Sequence, residues 1–336
     1  MQETESVLRA YGINGAIDEI ALLGFGHIND SYKVKQAQNS FLLQKINSSI
    51  FQYYEALENN LNQLLKIEFS LFPIHKKVEG KYHLEFNAAL WRLSEFVENS
   101  YSPFHPSFEE TLEAVRGYGN FMSLNKYLDV FQFQETIHEF HHLDKRLTAF
   151  ELAVEIDFAS RGNDVKHQIG SIRAFSWIEE EFLKLKLLNL PIRVCHNDTK
   201  STNVLLDNDS KQLLKVVDLD TVGPGYALYD FGDMMRSMLA SHPENAPDIG
   251  NLSILEDRYQ HMLETYVESA NGVLTDDEIE SLGFGGLYMT YLMAIRFLTD
   301  YLNGDVYYRI AYTNENLVRA KNQIKLLELM KEVIQA

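Results

Sequence analysis

The chain has 336 residues, 46% of them hydrophobic, which is enough for a packed core and about two lobes of roughly 150 residues each. Its formal net charge of −18 argues against nucleic acid or an anionic membrane surface as a main partner. The single cysteine, Cys195, rules out an internal disulfide, and the acidic start Met1–Glu5 carries no apolar leader, so a cytoplasmic setting is expected.

Residues 4–11 read as a helix stopped at Gly12. Strand-like segments follow at 20–23, 31–34 and 40–45. The first two are joined by Gly24-Phe25-Gly26-His27-Ile28-Asn29-Asp30, where glycines let the backbone approach a phosphate. Gly24, Phe25, Gly26, His27, Asn29 and Ser31 are therefore candidate nucleotide contacts. The same Gly-Phe-Gly recurs at 283–285 inside an apolar stretch, where helix packing is the expected reason. A helix is predicted over 51–69, carrying Glu55 and Glu58, either of which can pair with a strand lysine or face solvent. A hairpin of 76–78 with 82–86 around Glu79-Gly80 and a strand over 89–97 complete an antiparallel N-terminal lobe. The polar, proline-bearing segment Glu98–Pro103 marks the lobe boundary, giving residues 1–98 and 99–336. In a kinase-like arrangement the backbone near Glu95 and Val97 would meet the adenine.

From residue 108 onward the pattern is largely helical, over 108–128, 143–158, 164–189, 230–241, 252–270, 275–302 and 315–334. The apolar run 282–295 is too short to span a bilayer and suits a buried helix. The fold class expected is α+β: a bilobal, kinase-like chain with an antiparallel-sheet N-lobe bearing one helix and a mainly helical C-lobe.

The exception to the helices is the stretch 194–220. It reads as a strand, the loop His196-Asn197-Asp198-Thr199-Lys200-Ser201-Thr202-Asn203, a short strand, a polar turn, and a strand ending in Asp218-Leu219-Asp220. H-x-D-x-x-x-x-N followed by Asp-x-Asp is the layout of a kinase catalytic loop and metal-binding segment. Phosphoryl transfer needs positioning and charge compensation more than covalent help. Asp198 is the candidate base beside the attacking hydroxyl. Asn203 and Asp218 are the candidate Mg²⁺ ligands, because Mg²⁺ takes oxygen donors and keeps several waters. His196 is expected to brace the loop, and Cys195 to be a buried strand residue rather than a nucleophile. Asp230-Phe231-Gly232 spells a kinase metal motif but opens a helix, so Asp230 is expected to be an N-cap or a brace.

The glycine loop, Leu43-Gln44-Lys45-Ile46-Asn47, the loop 196–203, Asp218 to Gly225, Tyr229 to Asp233, and Arg296 to Leu302 together resemble the aminoglycoside phosphotransferase superfamily and, within it, the N-acetylhexosamine 1-kinase branch. The resemblance runs from about Gly24 to the last helix. It implies ATP and Mg²⁺ as cofactors and transfer of the γ-phosphoryl group to the anomeric hydroxyl of N-acetylglucosamine or N-acetylgalactosamine. It places Asp198, Arg296 and Tyr307 on the sugar. Arg296 has a plain alternative as a helix ion pair with Asp300, and Tyr307 as a core tyrosine. Phe140, His141, Arg146 and Arg161 also match, without an assigned chemistry. The third glycine of the phosphate loop is absent. Successive strand side chains face opposite ways, and the resemblance to aminoglycoside kinases places Gln44 inward, which would turn Lys45 away; Lys45 is nevertheless the named phosphate cation, with Lys33 a further choice. The partner expected is a small sugar, with no nucleic acid or membrane, and the chain a monomer or weak homodimer. The competing readings are an aminoglycoside- or choline-type kinase of the same superfamily and a nucleotide-binding pseudokinase.

Overall fold

The computed structural model describes residues 2–23, 29–67, 70–187 and 190–335. The phosphate-loop candidates Gly24, Phe25, Gly26 and His27 lie outside the described residues.

The N-terminal part opens with α1 (Gln2–Ala10), then β1 (Glu19–Leu23), β2 (Asp30–Gln36), β3 (Asn39–Ile46), α2 (Tyr54–Leu64), β4 (His83–Phe86) and β5 (Ala89–Glu95). The five strands form one antiparallel sheet in the order β1-β2-β3-β5-β4. Alternation along the strands assigns its two faces. Phe41 and Leu43 of β3 and Trp91 and Leu93 of β5 pack with Val7, Leu8 and Tyr11 of α1 and its exit. The intervening residues, Leu42 and Gln44 on β3 and Arg92 and Ser94 on β5, line a cavity on the other face. The expected hairpin of 76–78 with 82–86 does not form: β4 pairs with β5 instead, and the earlier segment contributes only the isolated bridges His75 to Ser94 and Val78 to Lys81.

Helix α2 is shorter than its periodicity predicts and packs Leu57 with Ile46, Phe51 and Leu90. Neither of its glutamates pairs with a strand lysine. Glu55 is exposed. Glu58 accepts from the Tyr82 and His83 backbone amides at 3.0 and 3.1 Å and meets His83 Nδ1 at 2.8 Å, fixing the entry to β4. Burial raises the Glu58 carboxyl, but His83 and the two amides outweigh it and hold it at about 2. A depressed carboxylate stabilises the fold above its ordinary value near 4.5 and loses that contribution as pH falls toward about 2. Chemical denaturation of Glu58→Gln is therefore expected to show a deficit of ~1–2 kcal/mol at neutral pH, after discounting for partial exposure, that narrows toward pH 3. A deficit independent of pH would contradict this account.

The C-terminal part contains β6 (Ser100–Tyr101), α3 (Phe108–Ser123), α4 (Leu143–Ile156), α5 (Lys166–Ala174), α6 (Trp177–Leu187), β7 (Arg193–Cys195), β8 (Val204–Asp207), β9 (Leu213–Val216), β10 (Gly223–Gly225), α7 (Ala227–Met238), α8 (Glu256–Ser269), α9 (Asp276–Leu302) and α10 (Glu315–Gln335). The single helix expected over 164–189 is two. The Phe175 and Ser176 amides bond three residues back, to Ile172 and Arg173 carbonyls, so the helical ladder tightens and breaks there. Strands β6, β8 and β9 form one small sheet, and β7 pairs with β10. The mostly buried α9 is started by a reciprocal capping box between Thr275 and Glu278 and packs between α7 and α10. Its Gly285 touches α7 backbone: a Cβ there would stand 2.1 Å from the Leu228 carbonyl oxygen, and one at Gly232 would stand 2.1 Å from the Gly285 oxygen. Both glycines are required by this close helix crossing, as the apolar context of Gly283-Phe284-Gly285 implies. Among the described residues no helix is long and apolar enough to cross a membrane.

Candidate active site

The loop after β7 carries the candidate catalytic groups, and its backbone is held from below. His196 is fully buried, with its ring edge-on to Tyr118 and Phe121. Its Nε2 meets the Val217 carbonyl at 2.9 Å, tying the loop to the segment after β9. Asp230 accepts from the His196 and Asn197 amides at 2.9 and 2.8 Å. It lies inside the first turn of α7, whose N-cap position is Tyr226. The cap alternative is thus excluded and Asp230 is a brace. Cys195 is buried, and burial pushes its thiol well up, so it is no nucleophile.

Asn197 and Asp218 both adopt left-handed backbone, with φ of 64° and 60°. Such strain in side-chain-bearing residues concentrates at functional sites. Between them Asp198 accepts from Asn203 Nδ2 at 2.7 Å and from Lys200 Nζ at 2.8 Å. Burial raises the Asp198 carboxyl, but the Lys200 ammonium and the Asn203 amide outweigh it and keep it below its usual range. The Asp198 carboxylate is therefore ionised at neutral pH.

Asp218 has no hydrogen-bond partner for its carboxylate among the described residues. Burial, reinforced by neighbouring Asp220, pushes it up to about 6. A half-buried carboxylate without a hydrogen-bond partner, next to a second carboxylate, suits a divalent cation. Asn203 spends its amide nitrogen on Asp198, which leaves its oxygen for a metal. The donor set of Asn203 and Asp218 thus fits Mg²⁺ completed by phosphate oxygens and water.

A cavity of about 190 Å³ adjoins this point, lined by Asn29, Ser31, Gln44 and Arg92 of the N-terminal sheet region and by Lys200 and Asp218 of the loop region. Asn29 and Ser31, expected near the nucleotide, thus lie on it. Lys45 does not. Its side chain sits with Trp91 on the α1 face and pairs with Glu3 at 3.7 Å, as strand alternation dictates, so Lys45 is corrected as a phosphate contact. Lys33 is likewise engaged, with Glu98 at 3.0 Å. The cations on the cavity are Arg92 and Lys200 instead. Lys200 was findable: in extended backbone, a residue two past Asp198 shows its side chain on the same side. At the linker, the Glu95 amide is bound to the Ile74 carbonyl, and Val97 gives its carbonyl to Ser100 Oγ.

Arg296 of α9 is also near Asp198. It does not pair with Asp300. That carboxylate instead collects the amides of Val306, Tyr307 and Tyr308 at 2.8–3.0 Å, shaping the loop that carries Tyr307. Arg296 is buried, 9% exposed, with its guanidinium 4.7 Å from the Phe140 ring centroid and 5.6 Å from those of Tyr307 and Tyr308. Its polar contacts are long, 3.4 Å to Tyr307 Oη and 3.6 Å to Met293 Sδ, and among the described residues it makes no ion pair. Phe140 and His141 acquire a structural reason here. Arg146 holds the Glu139 and Phe140 carbonyls, and His141 Nε2 meets the Asn197 carbonyl at 2.9 Å. Burial and the nearby Arg296 charge lower His141 to about 3, so its ring is neutral. Arg161 is remote in role, bound to the Tyr301 carbonyl and Asp305.

Residues 19–258 match the model of the phosphotransferase enzyme family. The chain belongs to that family. The similar solved structures share its whole fold at low identity. A spectinomycin phosphotransferase in complex with ADP and spectinomycin is 12% identical, with a TM-score of 0.65 and 98% of each chain covered. A microcompartment-associated aminopropanol kinase is 14% identical, with a TM-score of 0.67, covering 99% of this chain and 97% of that one. A choline/ethanolamine kinase family protein from Mesorhizobium loti is 15% identical, with a TM-score of 0.60, covering 100% of this chain and 99% of that one. At these identities the likeness establishes the kinase-like α+β fold of this phosphotransferase.

Asp218 and Asp230 are separable by experiment. Asp230→Ala leaves two buried amides without acceptors, and each costs ~1–3 kcal/mol. It is expected to lower the unfolding free energy by ~2–5 kcal/mol while the folded fraction keeps its Mg²⁺ dependence. Asp218→Asn removes an unpartnered, half-buried charge that Asp220 repels, so its melting temperature should equal or exceed the wild-type value while Mg²⁺–ADP binding weakens sharply. Melting curves with and without Mg²⁺–ADP decide between them, and the reverse pattern would move the metal site to α7.

Proposed function

We propose that this phosphotransferase moves the γ-phosphoryl group of ATP, with Mg²⁺, onto the anomeric hydroxyl of a free N-acetylhexosamine. The observation that carries the acceptor reading is Arg296: a buried cation with no carboxylate partner, walled by aromatic rings, beside the Asp198 loop. A buried guanidinium needs hydrogen-bond acceptors. Sugar hydroxyls and an acetamido carbonyl supply them, whereas a cationic aminoglycoside or choline would meet like charge from Arg296 and neighbouring Arg146. In this reading Arg296 and Tyr307 hold the ring. Asp198 takes the anomeric proton as the new O1–P bond forms and the bond from the γ-phosphorus to the bridging oxygen breaks, releasing ADP. The anomeric hydroxyl is the most acidic of the sugar, so a plain carboxylate suffices as its base. Mg²⁺, held through Asn203 and Asp218, supplies charge compensation on the phosphates.

The experiment is an ATP-consumption screen over free N-acetylglucosamine, N-acetylgalactosamine, their methyl glycosides, choline and aminoglycosides, with phosphorus NMR of the product. The free sugars should turn over to a 1-phosphate, and the methyl glycosides, blocked at that oxygen, should not. Phosphate at carbon 3, 4 or 6, or turnover of an amine instead, would assign the chain to another branch of the family.

A further inference from the structure

We infer that the nucleotide phosphates are gripped from strand β5, by Arg92, and not from a lysine on β3. Position 44 of β3 faces the cavity and is glutamine, and Lys45 faces α1. The cross-strand partner of Gln44 in the sheet register is Arg92. The two side chains meet: Arg92 Nη2 donates to Gln44 Oε1 at 2.7 Å. The same guanidinium is paired to Asp220 through both of its terminal nitrogens. Asn29 Nδ2 adds a bond to Asp220 at 2.8 Å.

Arg92 is 3% exposed and borders the cavity that also holds Lys200 and Asp218, and its Nε is buried with no partner among the described residues. A guanidinium has five N–H donors, and the three bonds observed leave some unused. An unsatisfied buried donor on a charged group is costly, and phosphate oxygen is the acceptor that matches its geometry. Pairing with Asp220 does not disqualify it. A carboxylate that fixes the cation in place lets phosphate bind without first ordering a long side chain. Asp220 belongs to the segment that carries Asp218, so one ion pair sets the distance between the phosphate grip and the metal ligand.

This rests on ATP as the phosphoryl donor and not on the identity of the acceptor. The test compares MgADP with adenosine, which has the base and sugar but no phosphate, by isothermal titration of the full chain. Arg92→Met should weaken MgADP by ~10–100-fold, the span of a charge-assisted bond or two, and leave adenosine within about twofold. Because Arg92→Met strands Asp220 without its cation and can impair folding, Gln44→Lys combined with Arg92→Met is the companion. It returns a cation to the neighbouring strand and should recover most of the MgADP affinity. Arg92→Lys should fall between wild type and Arg92→Met. Equal loss of MgADP and adenosine in Arg92→Lys and Arg92→Met, or loss of neither, overturns the inference. A wild-type chain that binds adenosine but not MgADP also overturns it. One that binds neither overturns the nucleotide reading beneath it as well.

Discussion

Asp198→Asn is expected to lower turnover by ~10²–10⁴-fold while MgADP affinity stays close to wild type. Asparagine keeps the size of the side chain but cannot take a proton from an incoming hydroxyl. The binding side should survive because the metal candidates are different residues. Asn203 and Asp218 keep their backbone settings, and His196 and Asn197 stay anchored by Asp230. Lys200 loses the carboxylate it touches at 2.8 Å but remains with Asp218 on the cavity that Arg92 borders. In the wild-type chain burial lowers its ammonium, and Asp198 with Asp218 outweighs that; in the variant Asp218 is left to oppose the burial. Single-turnover rates with a saturating acceptor, set beside an MgADP titration, check both halves. Wild-type turnover would remove Asp198 from the chemistry.

Arg296→Ala is expected to raise the acceptor KM and cut kcat/KM for the acceptor by ~10²–10³-fold, with the ATP KM little changed. The guanidinium lies against Phe140 and does not line the cavity that holds Arg92 and Lys200, so under the proposed function the two substrates should respond differently. Arg296→Lys sharpens the reading. Lysine keeps the charge but not the planar contact with Phe140 or the forked donors, so it should restore little of the lost kcat/KM. Full restoration by lysine would mean that only the charge matters. An unchanged acceptor KM in Arg296→Ala would make the residue a packing element.

The loop from His196 to Asn203 was legible because its polar spacing is interrupted by nothing and is flanked by strand-forming residues. The faces of β3 were legible too, since alternation puts Gln44 and Lys45 on opposite sides and the family resemblance says which side faces the cavity. Arg92 was not. An arginine within Leu90-Trp91-Arg92-Leu93 has no local signal, and its meaning comes from cross-strand Gln44 and from Asp220, 128 residues away. Asp230 was ambiguous for the same reason: a carboxylate in the first turn of a helix caps or braces according to what packs against it. The pairing of β4 with β5 escaped because a two-residue turn signal at Glu79-Gly80 competes with another at Asn87-Ala88, and both pairs have left-handed backbone. The break between α5 and α6 has neither glycine nor proline to announce it.

The backbone contact between Gly232 and Gly285 ties two distant functions to one scale. Asp230, which anchors the loop bearing Asp198, is two residues before Gly232 on α7. Arg296 is eleven residues, or ~16 Å of helical rise, beyond Gly285 on α9. With no side chain at the crossing to repack, the helices have no alternative register to slide into. The spacing between the Asp198 loop and Arg296 is therefore set, as by a gauge, in the C-terminal helices.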